Sequence, residues 1–260
     1  MLRLATTLLA AVLLTACATH PKTIASRPVI KRIAIIPASN PRWYSFENAA
    51  PPVGYPFQFW VNKLDSRSKA KLFNDKLNSQ PTTLGADFTE EVVTALRGYG
   101  FSVEVLEGLT RPVNEPDNID YDKVSTNADA ILHLWISEVG LYSSRMSRDY
   151  VPRVNASGTL FVKGRDDSVY DGDIYYGADA KKGKEWAIVP DAKFAYPSFE
   201  AVMSNIDDVR SAFAIGAVEI SKRMSEQIYS TVKYSRADVG AAESLLGVPA
   251  GRQVASSREP

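Results

Sequence analysis

Lys31-Arg32-Ile33-Ala34-Ile35-Ile36-Pro37 decides the fold. A basic start leads into a short, mostly β-branched apolar run that Pro37 and then Asn40-Pro41 close. Consecutive apolar residues leave no polar face, so this is the pattern of a strand buried on both sides, central in a sheet. Ala130 to Leu141, with Ile131, Leu132, Leu134, Trp135, Ile136 and Val139, predicts another central strand. Between the two, Leu84, Phe88, Val92, Leu96 and Tyr99 recur at helical steps and make one apolar stripe, so Thr83 to Gly100 predicts an amphipathic helix. Thr82 or Thr83 can cap its start, and Gly98 and Gly100 mark its end. Phe101-Ser102-Val103-Glu104-Val105 alternates with period two, as a half-buried strand does.

Further along, residues 154–176 read as a β-hairpin around the turn chemistry of Arg165-Asp166-Asp167-Ser168. Asn118 to Ala128 predicts a short helix. Asn205 to Tyr229 predicts a long one, with Val209, Phe213, Gly216, Ile220, Met224 and Ile228 on one face and Asp207 and Asp208 at its positive end. The expected class is α+β: a single mixed β-sheet of about five strands packed by two to three helices, with an aromatic and Pro-rich insertion after the first strand. That domain spans 30–234, with the insertion at 38–81. Residues 235–260, rich in Gly, Ala and Ser, are expected to be a loose tail with at most a short helix at Ala237–Leu246.

The insertion is the most informative part outside the sheet. Prolines alternate with Trp43, Tyr44, Phe46, Tyr55, Phe57, Phe59 and Trp60, too many aromatics for plain disorder. Either they fold back as an Ω-loop cover, or they form an exposed patch. On the second reading Trp43, Tyr44, Phe46, Tyr55, Phe57 and Trp60 are candidate partner-binding residues. A basic stretch follows (Lys63, Arg67, Lys69, Lys71, Lys76), with Leu64, Leu72, Phe73 and Leu77 loosely at helical spacing.

Composition narrows the function. The 260 residues carry 30 basic and 30 acidic side chains, so no net field favours nucleic acid. A single cysteine, Cys17, and two histidines, His20 and His133, argue against a thiolate or His-based metal cluster and a disulfide framework. His133 lies within an apolar strand and reads as a core histidine with a backbone partner rather than the base of a Ser-His-Asp set. There is no G-x-S-x-G elbow, P-loop or GxGxxG. Asp166, Asp167, Asp171 and Asp173 crowd one hairpin without an EF-hand pattern. The expectation is a non-enzyme with no metal and no cofactor. A glycan hydrolase using a carboxylate pair remains the alternative, because sequence does not set the separation of about 5–9.5 Å that such a pair needs.

Met1 to Cys17 reads MLRLATTLLAAVLLTAC. The apolar stretch Leu4 to Leu14 has the length of a signal-peptide core and falls short of the roughly 20 residues that span a bilayer. Leu14-Thr15-Ala16-Cys17 resembles the bacterial lipobox, and the only cysteine of the chain stands at its required position. The resemblance implies a signal peptide at 1–16, cleavage before Cys17, thioether lipidation and N-acylation with palmitate-type chains. Residues 17–29 then form the lipidated cysteine and a short tether. Ala18, rather than Asp, implies the outer membrane, with the body facing the periplasm.

The order of elements adds a second resemblance. The Arg32–Pro37 strand, a helix ending in glycine before an FSVEV strand, Asp129 before a DAILHLWISEV strand, a hairpin and a long final helix are similar to the small α+β domain of several periplasmic lipoprotein families. These are the curli-secretion-channel family, the lipoproteins that activate penicillin-binding proteins, and the N-terminal domain of TolB. The resemblance implies a non-catalytic, lipid-anchored accessory or assembly protein that binds another envelope protein. Its alternative is a self-assembling ring or secretion-channel component, so an oligomer is open. Membrane contact would run through the lipid at Cys17, and no nucleic-acid partner is expected.

Overall fold

The computed structural model describes residues 29–49 and 56–245, apart from 113, 145–148, 163, 164 and 166; the side chains of 56–65 and 234–245 are not described. The elements are β1 (Arg32–Ile36), β2 (Ser45–Asn48), α1 (Pro56–Leu77), α2 (Leu84–Gly98), β3 (Ser102–Val105), β4 (Ala130–Ser143), β5 (Tyr150–Phe161), β6 (Ser168–Gly177), β7 (Ala187–Ile188), α3 (Phe199–Ser204) and α4 (Ile206–Leu245). They build one mixed seven-stranded sheet in the order β3-β1-β4-β5-β6-β7, with β2 also paired to β4.

β4 organises the sheet. Its first residues pair in parallel with β1 (Ile33 opposite Ala130) and its last residues pair in parallel with β2 (Asn48 opposite Ser143), so β1 and β2 lie end to end along one side of it. Its other side pairs with β5 along its whole length, interrupted by a bulge between Ile136 and Glu138. Gly140 makes the β2 contact possible, because a Cβ there would fall 2.0 Å from the Ser45 carbonyl oxygen.

As the β1 pattern predicts, Ile33, Ala34, Ile35 and Ile36 are fully buried, and the two faces of the strand serve two different cores. Ile33 and Ile35 join the main core beneath the helices, with Phe88, Val92, Leu96, Leu132, Leu134, Phe213, Ile220 and Met224. Ala34 and Ile36 join Ile119, Val124 and Ile131 in a smaller core covered by the loop after β3. Arg111 fastens that loop to the end of β1, donating to Ser39 Oγ at 2.8 Å, to the Pro116 carbonyl at 2.8 Å and to the Pro37 carbonyl. At the other end of β1 the Asp129 carboxylate accepts from the backbone N–H groups of Lys31 (2.9 Å) and Arg32 (2.8 Å) and from the Arg32 guanidinium (3.0 Å). Partial burial works to raise its pKa, but those donors outweigh it and hold the carboxyl below its ordinary range.

Four sequence expectations are revised. The class is α+β with a single mixed sheet, as expected, but among the described residues it has seven strands accompanied by four α-helices, the insertion supplying β2 and α1 and the chain between β6 and α4 supplying β7 and α3. Pro56 opens α1, the one helical position where its missing N–H costs nothing. Asn118–Ala128 forms only a single 3₁₀ turn, Tyr121–Lys123, capped by Asp120. α4 continues without a break to Leu245, so the expected loose tail is helical up to that residue. The N-terminus of α2 draws on more than the expected threonines: Thr82 Oγ1 accepts from the Leu84 N–H at 3.3 Å. The Thr83 side chain makes no cap bond and donates to Asp87 instead, while Asn40, far away in sequence, accepts from the Gly85 N–H at 2.8 Å.

Asn74 joins α1 to the strand it covers. Fully buried, it accepts from the Tyr44 N–H at 2.8 Å and donates to the Tyr44 and Ala70 carbonyls at 2.8 and 2.9 Å. Asn74→Leu keeps the branched side-chain shape and strands both backbone groups of Tyr44. It should cost about 2–4 kcal/mol in urea unfolding, and a loss below about 0.5 kcal/mol would contradict this role.

Candidate functional site

Two places are relevant to function: the aromatic insertion and the sheet face opposite the helices. The insertion divides. Tyr44 and Phe46 are buried, which corrects their assignment to a contact surface. Tyr44 stacks on Phe213 at 5.8 Å; Phe46 stacks on Tyr150 at 4.7 Å and meets Phe73 and Phe199 at 5.2 Å. The alternation within β2 puts Phe46 toward the helices, and the tether to Asn74 draws Tyr44 in with it. Trp43, just outside this pairing, is 58% exposed. Phe57 and Trp60 fall within the first part of α1, residues 56–65, whose side chains are not described, and Tyr55 and Cys17 lie outside the described residues.

The opposite sheet face is built by the other alternation of β5. Val154, Ala156 and Leu160 point to the core, and Arg153, Asn155, Ser157 and Thr159 point away. Arg153, nearly fully buried, is the hub. Its Nη1 donates to Glu138 at 2.8 Å and Glu47 at 3.2 Å, its Nε lies 3.0 Å from Asp179, and its guanidinium sits 4.5 Å from the Tyr142 ring centroid. Burial pulls its pKa down, but the Glu138 hydrogen bond and the charges of Asp179, Glu138 and Glu47 outweigh that and raise it. One cation thus ties β2, β4, β5 and the turn after β6. Asn155 donates to Asp179 at 2.7 Å, Ser157 to Asp173, and Thr159 to Asp171 at 2.9 Å.

These contacts explain the acidic hairpin. Asp171 and Asp173 accept cross-strand hydroxyls, and Asp167 pairs with Arg165 at 3.0 Å. Asp166 lies outside the described residues. Among the described residues no three His, Cys, Asp or Glu side chains group as a metal site. The arrangement is a lattice of satisfied carboxylates. Sequence reading missed Arg153 as its centre, although the alternation Arg153, Asn155, Ser157, Thr159 already shows a polar strand face.

His133 differs from its expected setting. It is 2% exposed, and its ring partner is the Tyr121 hydroxyl (2.7 Å to Nδ1), not a backbone group; Nε2 has no hydrogen-bond partner. Trp135 lies 5.2 Å away and Tyr121 meets it edge-on. Burial pushes its pKa down to about 4, with Asp117 opposing and Arg111 reinforcing. On the helix side, burial and then the nearby Asp173 and Asp171 raise the Tyr170 hydroxyl, which donates to Gln227 at 3.0 Å.

No family model matches the chain. Over 144 residues it is 28% identical to a geranylgeranyl pyrophosphate synthase from Claviceps paspali, covering 55% of this chain and 39% of that enzyme, so it spans about two fifths of the enzyme's length. Among solved structures it is similar to a Xanthomonas campestris protein of family DUF330 (TM-score 0.32, 10% identity, 59% of this chain and 63% of that one). It is also similar to hypothetical protein CT253 from Chlamydia trachomatis (0.31, 12%, 76% and 98%) and to lipoprotein GNA1162 from Neisseria meningitidis (0.29, 13%, 68% and 95%). Likenesses at these scores carry no function to this chain. No described helix is long and apolar enough to cross a membrane.

A neutral His133 in the fold gives a pH dependence with a definite sign. The unfolded chain takes up the proton first, near pH 6.5, so this stabilisation is complete above that value and is lost as pH falls toward 4. The full loss is on the order of 3 kcal/mol. Urea unfolding at a series of pH values should show that decline in the wild type and a flatter one in His133→Phe; equal slopes would contradict it.

Proposed function

We propose that the chain is a lipid-anchored, non-catalytic protein of the bacterial outer membrane, facing the periplasm, that binds another envelope protein. The observation that carries this reading is Leu14-Thr15-Ala16-Cys17, with the chain's sole cysteine at the position to be acylated. One acyl chain binds a bilayer only marginally, whereas the three expected on such a cysteine make an effectively permanent anchor. Confinement to a leaflet raises the effective concentration of the body near membrane-held partners, so modest contacts suffice.

Within the described residues the contact surface falls to Trp43. An exposed tryptophan is a costly feature for a solvated surface and a common anchor of interfaces. It immediately precedes the internal pair Tyr44 and Phe46, whose packing fixes the backbone that presents it. Support against chemistry comes from the carboxylates of the outer face, each engaged by a hydroxyl, an amide or Arg153.

Fractionation and pull-down from detergent-solubilised envelopes test both halves. Cys17→Ser should move the protein from the membrane to the soluble fraction, and Trp43→Ala should lower recovery of the co-purifying protein about tenfold or more with fractionation unchanged. Continued membrane association of Cys17→Ser would overturn the anchor, and undiminished recovery would overturn the contact.

A further inference from the structure

The end of the body where the chain emerges from its N-terminal segment has a surface of its own. Val29, the first described residue, is 51% exposed, and Ile30 beside it is buried. Next to them Tyr99, at the C-terminal end of α2, is 40% exposed and stacks on Tyr229 of α4 with centroids 4.6 Å apart and planes 10° from parallel. Phe101 meets Tyr229 edge-on at 6.4 Å, and Lys233 Nζ sits 5.5 Å from the same ring. These residues, with Ile30, Lys31 and Val232, line an open cavity of about 300 Å³. Lys31 and Lys233, both exposed, lie at its edge.

We infer that this aromatic and basic end docks directly on the surface of the bilayer that holds the lipid anchor. The inference rests on the anchor reading and adds an orientation to it. Eleven residues, Ala18 to Pro28, separate the expected acylated cysteine from Val29, and even fully extended they reach no more than about 40 Å. The tether enters the body at this end, so with this end on the bilayer none of its length has to run along the body. The composition of this end matches the headgroup layer. Tyrosines present an apolar ring and a polar tip, which places them at membrane–water boundaries, and lysines extend along apolar surface while keeping their charge in water. The two exposed lysines, Lys31 and Lys233, complement anionic lipid headgroups.

The sheet sets the distance to the opposite end. Along β4, Ala130 lies opposite Ile33 near the docking end, and Gly140 lies opposite Ser45, two residues from Trp43. That separation along the strand is about 30 Å. Docking on one end therefore holds Trp43 well clear of the membrane, where a partner can reach it.

The test uses the acylated protein in phosphatidylethanolamine vesicles containing phosphatidylglycerol and a lipid-borne quencher. Acylation consumes Cys17, so one introduced thiol carries the fluorophore. Gly98→Cys places it at the docking end, where an added Cβ meets nothing within 4 Å and Tyr99, Tyr229, Lys31 and Lys233 stay intact. Trp43→Cys places it at the far end. Quenching at position 98 should exceed that at position 43 about threefold or more, because a docked surface lies within roughly 10 Å of the headgroups. Adding Lys31→Glu and Lys233→Glu should bring the ratio close to one. Equal quenching at the two positions in acylated protein, or a ratio the charge reversal leaves unchanged, overturns the docking while the anchor stands. Failure of Cys17 to incorporate palmitate overturns the anchor, and the docking with it.

Discussion

Everything in this fold depends on one strand serving two parallel neighbours on the same side. β4 runs for fourteen residues, long enough for β1 to pair with its beginning and β2 with its end. Because β1 and β2 occupy one line, the chain between them has to leave the sheet and return, which it does through residues 37–44. Among the polar contacts of that crossing are Thr89 accepting from the Ala38 N–H, Asn40 capping α2, and Asn74 bracketing Tyr44. Each satisfies a backbone group that burial would otherwise strand, at a cost of about 1–3 kcal/mol apiece. The crossing is what turns a run of aromatics into core on one side and an exposed tryptophan on the other.

The second consequence of β4 is the division of the sheet into a helix-packed face and a polar face. On the packed face the helices approach closely, with Gly216 under the Tyr176 ring and Ser221 donating to the Phe88 and Ala217 carbonyls. On the polar face Arg153 holds three carboxylates from separate elements. A guanidinium is suited to this because its planar fork offers several donors at once and keeps its charge when buried. Losing it would leave Glu138, Glu47 and Asp179 crowded without their counter-charge, so its role is cohesion between β2 and the rest of the sheet.

Much of this was legible in the chain. Runs of apolar residues gave β1 and β4 because a strand buried on both faces has no polar alternation to hide, and the stripe from Leu84 to Tyr99 gave α2 because a 3.6-residue period has one reading. The insertion was not legible in the same way. β2 is four residues long, and nothing in Ser45-Phe46-Glu47-Asn48 signals a strand until Gly140 and Asn74 are beside it. The length of α4 escaped because small residues after Tyr234 carry no apolar stripe, although alanines favour a helix that has already begun. For the site, Trp43 and Tyr44 are indistinguishable as letters. Which of them is exposed is decided by a tether thirty residues away in sequence.

The account joins an anchor at one end of the molecule to a contact at the other, and its central claim is the covalent state of a single sulfur. The most direct measurement is mass spectrometry of the N-terminal peptide of the protein isolated from its membrane. The account predicts a peptide beginning at Cys17 that carries a diacylglyceryl group on sulfur and an acyl group on the amine. An unmodified Cys17, or a peptide that still contains residues 1–16, would contradict it.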